Sequence, residues 1–208
     1  MEEHDWMTPM NHATDYLVVG AGASGLAFVD SLITESDASI VVVDRRDDVG
    51  GHWCDTYPFV QLHTPSAYYG VNSIPLGEDR LQESGRNAGF YEQATGPELQ
   101  AYFRRVLQER LLPSQQVTFL PHHDYLGSSH GIAKLRDLNT DTAHEITVRQ
   151  KVVDARYQQA SVPATHTPSF SVDDHAAFIP IGQLSTRAGD YDSFIVIGAG
   201  KTSVDACL

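Results

Sequence analysis

Six residues near the N-terminus follow the spacing Gly-x-Gly-x-x-Gly, and this spacing suits contact with phosphate groups. The first glycine allows a tight turn, the second lets the backbone approach a pyrophosphate, and the third lets a helix pack closely on a strand. A helix that starts there directs free N–H groups and a partial positive charge at the phosphates. The motif consists of Gly20, Ala21, Gly22, Ala23, Ser24 and Gly25. We therefore expect a dinucleotide site in this segment.

A carboxylate follows the glycine motif at the distance that a dinucleotide site requires. Asp44 ends an apolar run and lies about 20 residues beyond Gly25. A carboxylate at that place accepts hydrogen bonds from ribose hydroxyls and repels a 2′-phosphate. The alternative is that the glycines only form a tight turn in another kind of α/β protein, and the surrounding elements favour the dinucleotide site.

The elements around the motif predict a βαβ unit. Residues 16–19 and 39–43 are apolar runs, typical of strands buried on both faces of a parallel sheet. Residues 24–35 between them have apolar side chains at helical spacing. Strand, helix and strand together fit the size of one βαβ unit, about 30 residues.

The rest of the chain alternates short apolar segments with loops. An amphipathic helix is predicted at 96–112, where Pro113 ends it. Short strands are predicted at 117–120, 146–148, 152–153 and 194–197. Residues 50–90 are loop-like, and a loop of that length in a compact domain is usually functional.

Composition excludes several classes of protein. The formal net charge of −13 argues against nucleic acid or an anionic membrane surface as the main partner. The acidic start and the lack of a long apolar run give neither a secretory signal nor a membrane span, so we expect a cytoplasmic protein. Cys54 and Cys207 are far apart, which excludes a disulfide framework and the chemistry of a close dithiol pair.

The segment after Asp44 resembles the flavin-containing monooxygenases. In that family an acidic residue is followed by Arg and then by Gly-Gly-x-Trp, as in residues 44–53 here, and the likeness continues through residues 57–66. The resemblance implies that the first Rossmann unit binds FAD and that the Gly-Gly-x-Trp loop passes near the flavin. Trp53 offers a stacking face, and a core position under the loop is an equal alternative. The implied FAD-binding residues are Gly20, Ala21, Gly22, Ser24, Gly25, Asp44, Arg45, Gly51, His52, Trp53 and His63.

A second Gly-x-Gly motif follows the apolar run 194–197. Gly198, Gly200 and Ser203 resemble the start of the NADPH-binding domain in the same family, which implies an incomplete NADP site. A P-loop is the alternative, because residues 200–202 look like its end. That motif needs a glycine five residues before Gly200, where Ile195 stands, so we reject it.

Two departures from the family concern its activity. Residues 152–157 lack the Ala-Thr-Gly that relatives have before the NADPH domain, and the Phe-x-Gly-x-x-x-His fingerprint of Baeyer–Villiger enzymes is absent. Both weaken the expectation of a monooxygenase. The chain stops soon after the second motif, so we expect a truncated member of the family.

Adjacent histidines raise the question of a metal site. His122, His123 and Asp124 are consecutive, but neighbouring residues point to opposite sides of a strand, and no His-x-x-x-His accompanies them. We therefore interpret them as a solvated turn and expect no metal. No catalytic residue is identified, and His52 and His63 remain candidates for hydrogen bonds to a flavin or a substrate.

These observations predict an α/β protein: a Rossmann-type three-layer FAD-binding domain with the stub of a second Rossmann domain. The expected segments are a flexible arm (1–14), an incomplete FAD-binding domain (15–160) with its flavin-side loop (50–90), a linker (161–192) and the start of a truncated NAD(P)-binding domain (193–208). The expected parent activity is NAD(P)H-dependent reduction of FAD followed by oxidation of a small organic substrate, with this chain inactive by itself. A non-catalytic nucleotide-binding fragment and a NAD-only dehydrogenase are the alternatives. Uncovered strand edges also predict self-association.

Overall fold

The structure, a computed structural model, describes residues 13–85, 87–156 and 166–208. The strands are β1 (Ala13–Val19), β2 (Ile40–Val43), β3 (Val117–Leu120), β4 (His123–Ser129), β5 (Ile132–Asp137) and β6 (Ala143–Asp154). The helices are α1 (Ala23–Glu35), α2 (Gly96–Arg105), α3 (Leu184–Arg187) and α4 (Lys201–Cys207). β1 begins inside the predicted arm 1–14, whose first twelve residues lie outside the described part of the chain.

The six strands form one mixed sheet in the order β3-β2-β1-β6-β5-β4. β1 pairs in parallel with β2 on one side and with β6 on the other, and β2 pairs in parallel with β3. β4, β5 and β6 form an antiparallel meander. β6 takes part in both arrangements, because Thr147 pairs with β5 and β1 while Val152 continues the pairing with β1.

Burial on both faces of the central strands produces a layered core. Leu17 and Val18 are adjacent in β1, so they point to opposite faces, and neither is exposed to solvent. Leu17 belongs to a cluster with buried side chains of the meander, including Leu135 and Ile146. The cluster contains no helical residue, and α1 contacts both β1 and residues 106–111. This arrangement confirms the predicted α/β, Rossmann-type fold class.

Most predicted elements of the N-terminal half are confirmed. α1 agrees with the predicted helix 24–35 within one residue, and its buried residues include Leu26, Val29 and Ile33. The predicted helix 96–112 is α2 followed by a π-helical turn at Val106–Leu111. Pro113 lies in a last 3-10 turn that ends at Gln115, a residue in left-handed conformation.

Two predictions about strands were wrong. Residues 146–148 and 152–153 belong to the single strand β6, because the same chain pairs first with β5 and then with β1. Residues 194–197 form no strand, and Ile195 is 93% exposed. An apolar run becomes a strand only where a neighbour accepts its backbone hydrogen bonds, and no described strand pairs with this run.

The described residues divide into two compact units. The first comprises 13–54, 70–75 and 100–156, and it contains the whole sheet. The second comprises 55–69, 76–85, 87–99 and 166–208. Within the described ranges, no helix has the length and apolar character needed to cross a bilayer.

Candidate functional site

The glycine motif forms the turn between β1 and α1. Gly20 has φ +107°, a conformation open to glycine, and its N–H donates to the carbonyl of Val43 at 2.8 Å. Ala21 accepts a hydrogen bond from the Gly50 N–H at 2.9 Å. The turn is thus fixed to the end of β2 and to the start of the Gly-Gly loop.

The N-terminus of α1 carries no side-chain cap. Gly22 occupies the cap position, no side-chain oxygen accepts from the first-turn amides, and the first turn contains no acidic residue. Ser24 is exposed and Gly22 is half-buried, so this end of the helix is accessible. The free N–H groups of a 13-residue helix and its dipole form a site for an anion.

Gly22 and Gly25 are small for different reasons. A Cβ on Gly25 would lie 2.0 Å from the carbonyl oxygen of Gly20, so close packing of helix and strand requires glycine there. A Cβ on Gly22 would have Gly51 Cα at 3.5 Å as its nearest atom, which is an ordinary contact, and Gly22 has φ −82°. The protein itself therefore does not require glycine at position 22. A pyrophosphate against this backbone would require it, and in this respect the residues fit a dinucleotide.

Asp44 lies beside the glycine turn and is oriented by the backbone. Its Oδ2 accepts a hydrogen bond from the Ala21 N–H at 2.7 Å, and its Oδ1 accepts one from the Arg46 N–H at 2.9 Å. The residue is buried, with 8% of its surface exposed. A carboxylate offers about four acceptor positions, so two remain for ribose hydroxyls. The structure thus brings Asp44 to the motif, as the spacing predicted.

The Gly-Gly loop packs directly on the glycine turn. Gly51 has φ +60°, and a Cβ on it would lie 2.9 Å from Gly22 Cα. Trp53 is buried, and its backbone N–H donates to the carbonyl of Gly50 at 3.2 Å. His52 is exposed and lies against the Trp53 ring, with ring centroids 4.8 Å apart. Of the two interpretations of Trp53, its burial favours a core position, and His52 is the exposed ring of this loop.

Two other predicted FAD-binding residues are exposed. Arg45 follows Asp44 directly, and its side chain lies 3.7 Å from a carboxylate oxygen of Asp124, with 71% of its surface exposed. His63 is exposed and belongs to the second unit. Their roles toward a flavin stay predictions.

The second glycine motif lies in the second unit and precedes α4. Gly198 has φ +145°, Gly200 caps α4, and the Ser203 hydroxyl donates to the Gly200 carbonyl at 2.7 Å. Lys201 donates to the carbonyl of Gln61 at 2.6 Å and also contacts Asp205. The lysine that suggested a P-loop is therefore engaged with protein atoms. The NADP role of this motif stays a prediction.

Asp205 also binds a tyrosine of the same unit. The Tyr57 hydroxyl donates to Asp205 Oδ2 at 2.6 Å. Burial, together with the hydrogen bond to Asp205 and its negative charge, raises the pKa of Tyr57 to about 12. Residues 57 and 61 thus anchor α4 to the predicted flavin-side loop.

Ala155 contacts the glycine turn and was not predicted from the sequence. The Ala155 N–H donates to the Val19 carbonyl at 2.9 Å, and a Cβ on Gly20 would lie 3.1 Å from the Ala155 carbonyl group. Ala155 follows β6 directly, and a small residue at the end of a strand was the available signal. Its position depends on the pairing of β1 with β6, which spacing along the chain does not predict.

Known proteins match this chain in sequence and in fold. Residues 18–76 match the model of an NAD(P)-binding Rossmann-like domain. An uncharacterized protein of Mycobacterium tuberculosis is 46% identical over 195 residues, which cover 94% of this chain and 35% of that protein. The chain therefore spans about a third of the length of such curated relatives.

Solved structures share the fold at low sequence identity. A flavin-containing monooxygenase from Stenotrophomonas maltophilia is 17% identical, with a TM-score of 0.51 over 69% of this chain and 38% of its own. A bacillithiol disulfide reductase from Bacillus cereus is 9% identical, with a TM-score of 0.55 over 70% and 40%. A steroid monooxygenase bound to NADP is 21% identical, with a TM-score of 0.51 over 76% and 28%.

These matches and the sheet define the fold of the chain. Residues 18–76 match an NAD(P)-binding Rossmann-like domain, and they include the end of β1 and all of α1 and β2. The solved proteins that share this fold include flavin monooxygenases and a bacillithiol disulfide reductase, so the comparisons confirm the Rossmann-type fold predicted from the sequence.

Proposed function

We propose that residues 20–25 and Asp44 bind FAD through its pyrophosphate and adenosine ribose. The protein would use NAD(P)H to reduce this flavin and would oxidise a small organic substrate. The observation that carries the proposal is the uncapped N-terminus of α1. The residue at its cap position is Gly22, although the packing of the protein itself would accept a side chain there. When bound, FAD would supply the redox chemistry.

The residues of the site divide the recognition between phosphate and ribose. The first amides of α1 would donate to the pyrophosphate, and the helix dipole would favour its negative charge. Asp44, oriented by the amides of Ala21 and Arg46, would accept from the ribose hydroxyls. Its negative charge disfavours a 2′-phosphate, so this site should select FAD or NAD over NADP.

Two observations support FAD over NAD in this first site. The Gly50–Gly51 segment lies on the glycine turn, where it continues the motif that resembles flavin-containing monooxygenases. Solved proteins of the same fold include flavin monooxygenases. NAD(P)H as the reductant is supported by the second motif, Gly198, Gly200 and Ser203, and by the NADP in the related steroid monooxygenase.

The fold is shared by monooxygenases and a disulfide reductase, so it does not identify the substrate that is oxidised or reduced. The positions of the cysteines distinguish between these two kinds of chemistry. Cys54 is half-buried in the first unit and Cys207 is exposed in the second. Neither has a second cysteine nearby in this sequence to form a redox pair. This supports oxidation of an organic substrate over dithiol chemistry.

Binding of FAD, NAD and NADP to the purified chain tests the proposal. We expect FAD to bind most tightly and NADP most weakly, as measured by quenching of flavin fluorescence and by calorimetry. Gly22→Ala should weaken FAD binding at least tenfold, which corresponds to about 1.4 kcal/mol. Gly189→Ala is the matched control, because no atom lies within 4 Å of a Cβ at that position.

Asp44→Asn tests the ribose contact separately. The amide oxygen can still accept from Ala21, while the charge is lost, so the preference against NADP should diminish. Tighter binding of NAD than of FAD, or unchanged FAD binding by Gly22→Ala, would contradict the assignment.

A further inference from the structure

Three metal-ligating side chains meet on the antiparallel meander. His123 of β4 is paired directly with Asp137 of β5, and His144 lies on the adjacent strand β6. One potential ligand atom from each residue lies within 4.8 Å of the other two. The two imidazole rings are 5.8 Å apart between centroids, and all three residues are half-buried. The partners of His123 come from the next two strands and not from its neighbours along the chain, so the prediction of a solvated turn did not include them.

The cluster lies at the end of an apolar face. On β5, Ala133 and Leu135 alternate with exposed residues and are fully buried, and Asp137 is the next residue on that side. On β6, His144 precedes the fully buried Ile146 on the same side. Three polar groups thus replace the apolar side chains that the alternation would place at this end of the core. A bound cation would give these three polar groups one common partner.

Hydrogen bonds orient two of the three ligands. The Nδ1 of His123 lies 2.6 Å from the carbonyl oxygen of Pro121. A carbonyl only accepts, so Nδ1 carries the proton and the lone pair is on Nε2. A second ring nitrogen held by a backbone carbonyl is the usual arrangement of a metal-bound histidine. Asp137 Oδ1 accepts from the Asn139 N–H at 2.7 Å, and this hydrogen bond is the main cause that lowers the pKa of the Asp137 carboxyl.

We propose that His123, Asp137 and His144 bind a divalent transition-metal ion, and that zinc is the ion that fits them best. Zinc takes two histidines and a carboxylate readily, with a fourth position left for water. Ligand atoms around tetrahedral zinc lie roughly 3.4 Å apart for bond lengths of about 2.1 Å. The ligand atoms, which lie within 4.8 Å of one another, would have to approach by up to about 1.4 Å when the ion binds.

The site would connect the meander to the glycine turn. The backbone N–H of His123 donates to the backbone carbonyl oxygen of Asp44 at 2.9 Å. This hydrogen bond connects the first proposed ligand to the residue proposed to bind the ribose. A metal here would hold β4, β5 and β6 together at this end, close to Asp44. We assign this structural role to the ion, and that role needs no reaction at its open position.

The experiment uses the full chain, stripped with EDTA and dialysed against zinc. We expect about one zinc per chain by elemental analysis and a higher melting temperature in zinc that EDTA reverses. We expect His144→Ala to lower zinc affinity at least tenfold, since even outer-shell partners contribute 10- to 100-fold. Cobalt should give the absorption of a tetrahedral site in wild type and not in this variant.

Two further variants separate ligation from folding. Asp137→Asn keeps an oxygen for the Asn139 amide, so we expect its circular dichroism without metal to match wild type while zinc binding is lost. His122→Asn is the matched control, because it is adjacent to His123 and Asn tolerates its φ of 54°. The proposal would be overturned if the wild type bound no stoichiometric zinc. It would also be overturned if His122→Asn and His144→Ala lost zinc affinity to the same extent.

Discussion

The two glycines at the start of α1 should respond in opposite ways to the same methyl group. In Gly25→Ala, the new Cβ would lie 2.0 Å from the Gly20 carbonyl oxygen, whereas contacts under 3.0 Å essentially never occur. Helix α1 must then move by about 1 Å from the end of β1, against the packing of its buried side chains. Overpacking of this kind costs about 1–3 kcal/mol, occasionally more. We expect the upper end, because backbone rather than a flexible side chain is the obstacle.

Gly22→Ala should leave the free energy of unfolding unchanged or raise it. The nearest atom would be 3.5 Å away, and φ −82° with ψ −176° is open to alanine. Restriction of the unfolded chain stabilises such variants by about 0.4–1 kcal/mol. The two variants should therefore differ by roughly 3 kcal/mol, or about 6–12 °C in melting temperature for a chain of this size.

Urea unfolding followed by circular dichroism measures this difference, with the m-value as a check for two-state behaviour. The reasoning is refuted if Gly25→Ala lies within 1 kcal/mol of wild type. It is equally refuted if Gly22→Ala loses as much stability as Gly25→Ala.

Three further variants test features of the two units. Asp30 is 1% exposed and accepts hydrogen bonds from Ser73 and Arg110, so Asp30→Ala should destabilise the protein by about 3 kcal/mol in urea unfolding, while the exposed Asp37→Ala should change little. Tyr57 has a raised pKa in the folded state, so its contribution to the free energy of unfolding is complete below pH about 10 and is lost as the pH rises through about 12. In Asp205→Asn, an absorbance titration should show a lower pKa for Tyr57. Ile195→Lys should reduce self-association in sedimentation experiments, because Ile195 is 93% exposed in the apolar run 194–197 and a charge there removes apolar surface that a second chain could cover; an unchanged association constant would exclude that surface.

Local patterns predicted the parts of the fold that depend on neighbouring residues. The glycine spacing, the apolar run before it and the periodicity of α1 are all set within about 30 residues, and the structure forms the predicted βαβ unit there. Asp44 was predicted beside the motif for the same reason, since β2 pairs with β1 in fixed register.

The missed features depend on contacts between distant segments. β5 has only two buried residues, Ala133 and Leu135, so its alternation is too short to stand out from a loop. Residues 146–148 and 152–153 form the single strand β6 because this segment pairs with two neighbouring strands, β1 and β5. The run 194–197 has the composition of a buried strand, yet composition cannot supply the pairing partner.

The double pairing of β6 has a consequence for how the first unit opens. Because Thr147 is paired with β1 and with β5, separation of either neighbour would leave one edge of β6 without a partner strand. The amides of β1, β5 and β6 should therefore exchange with solvent deuterium in one cooperative step and with similar protection, rather than in two independent steps. The turn at Gly20, which touches Ala155 just beyond the end of β6, would share that protection.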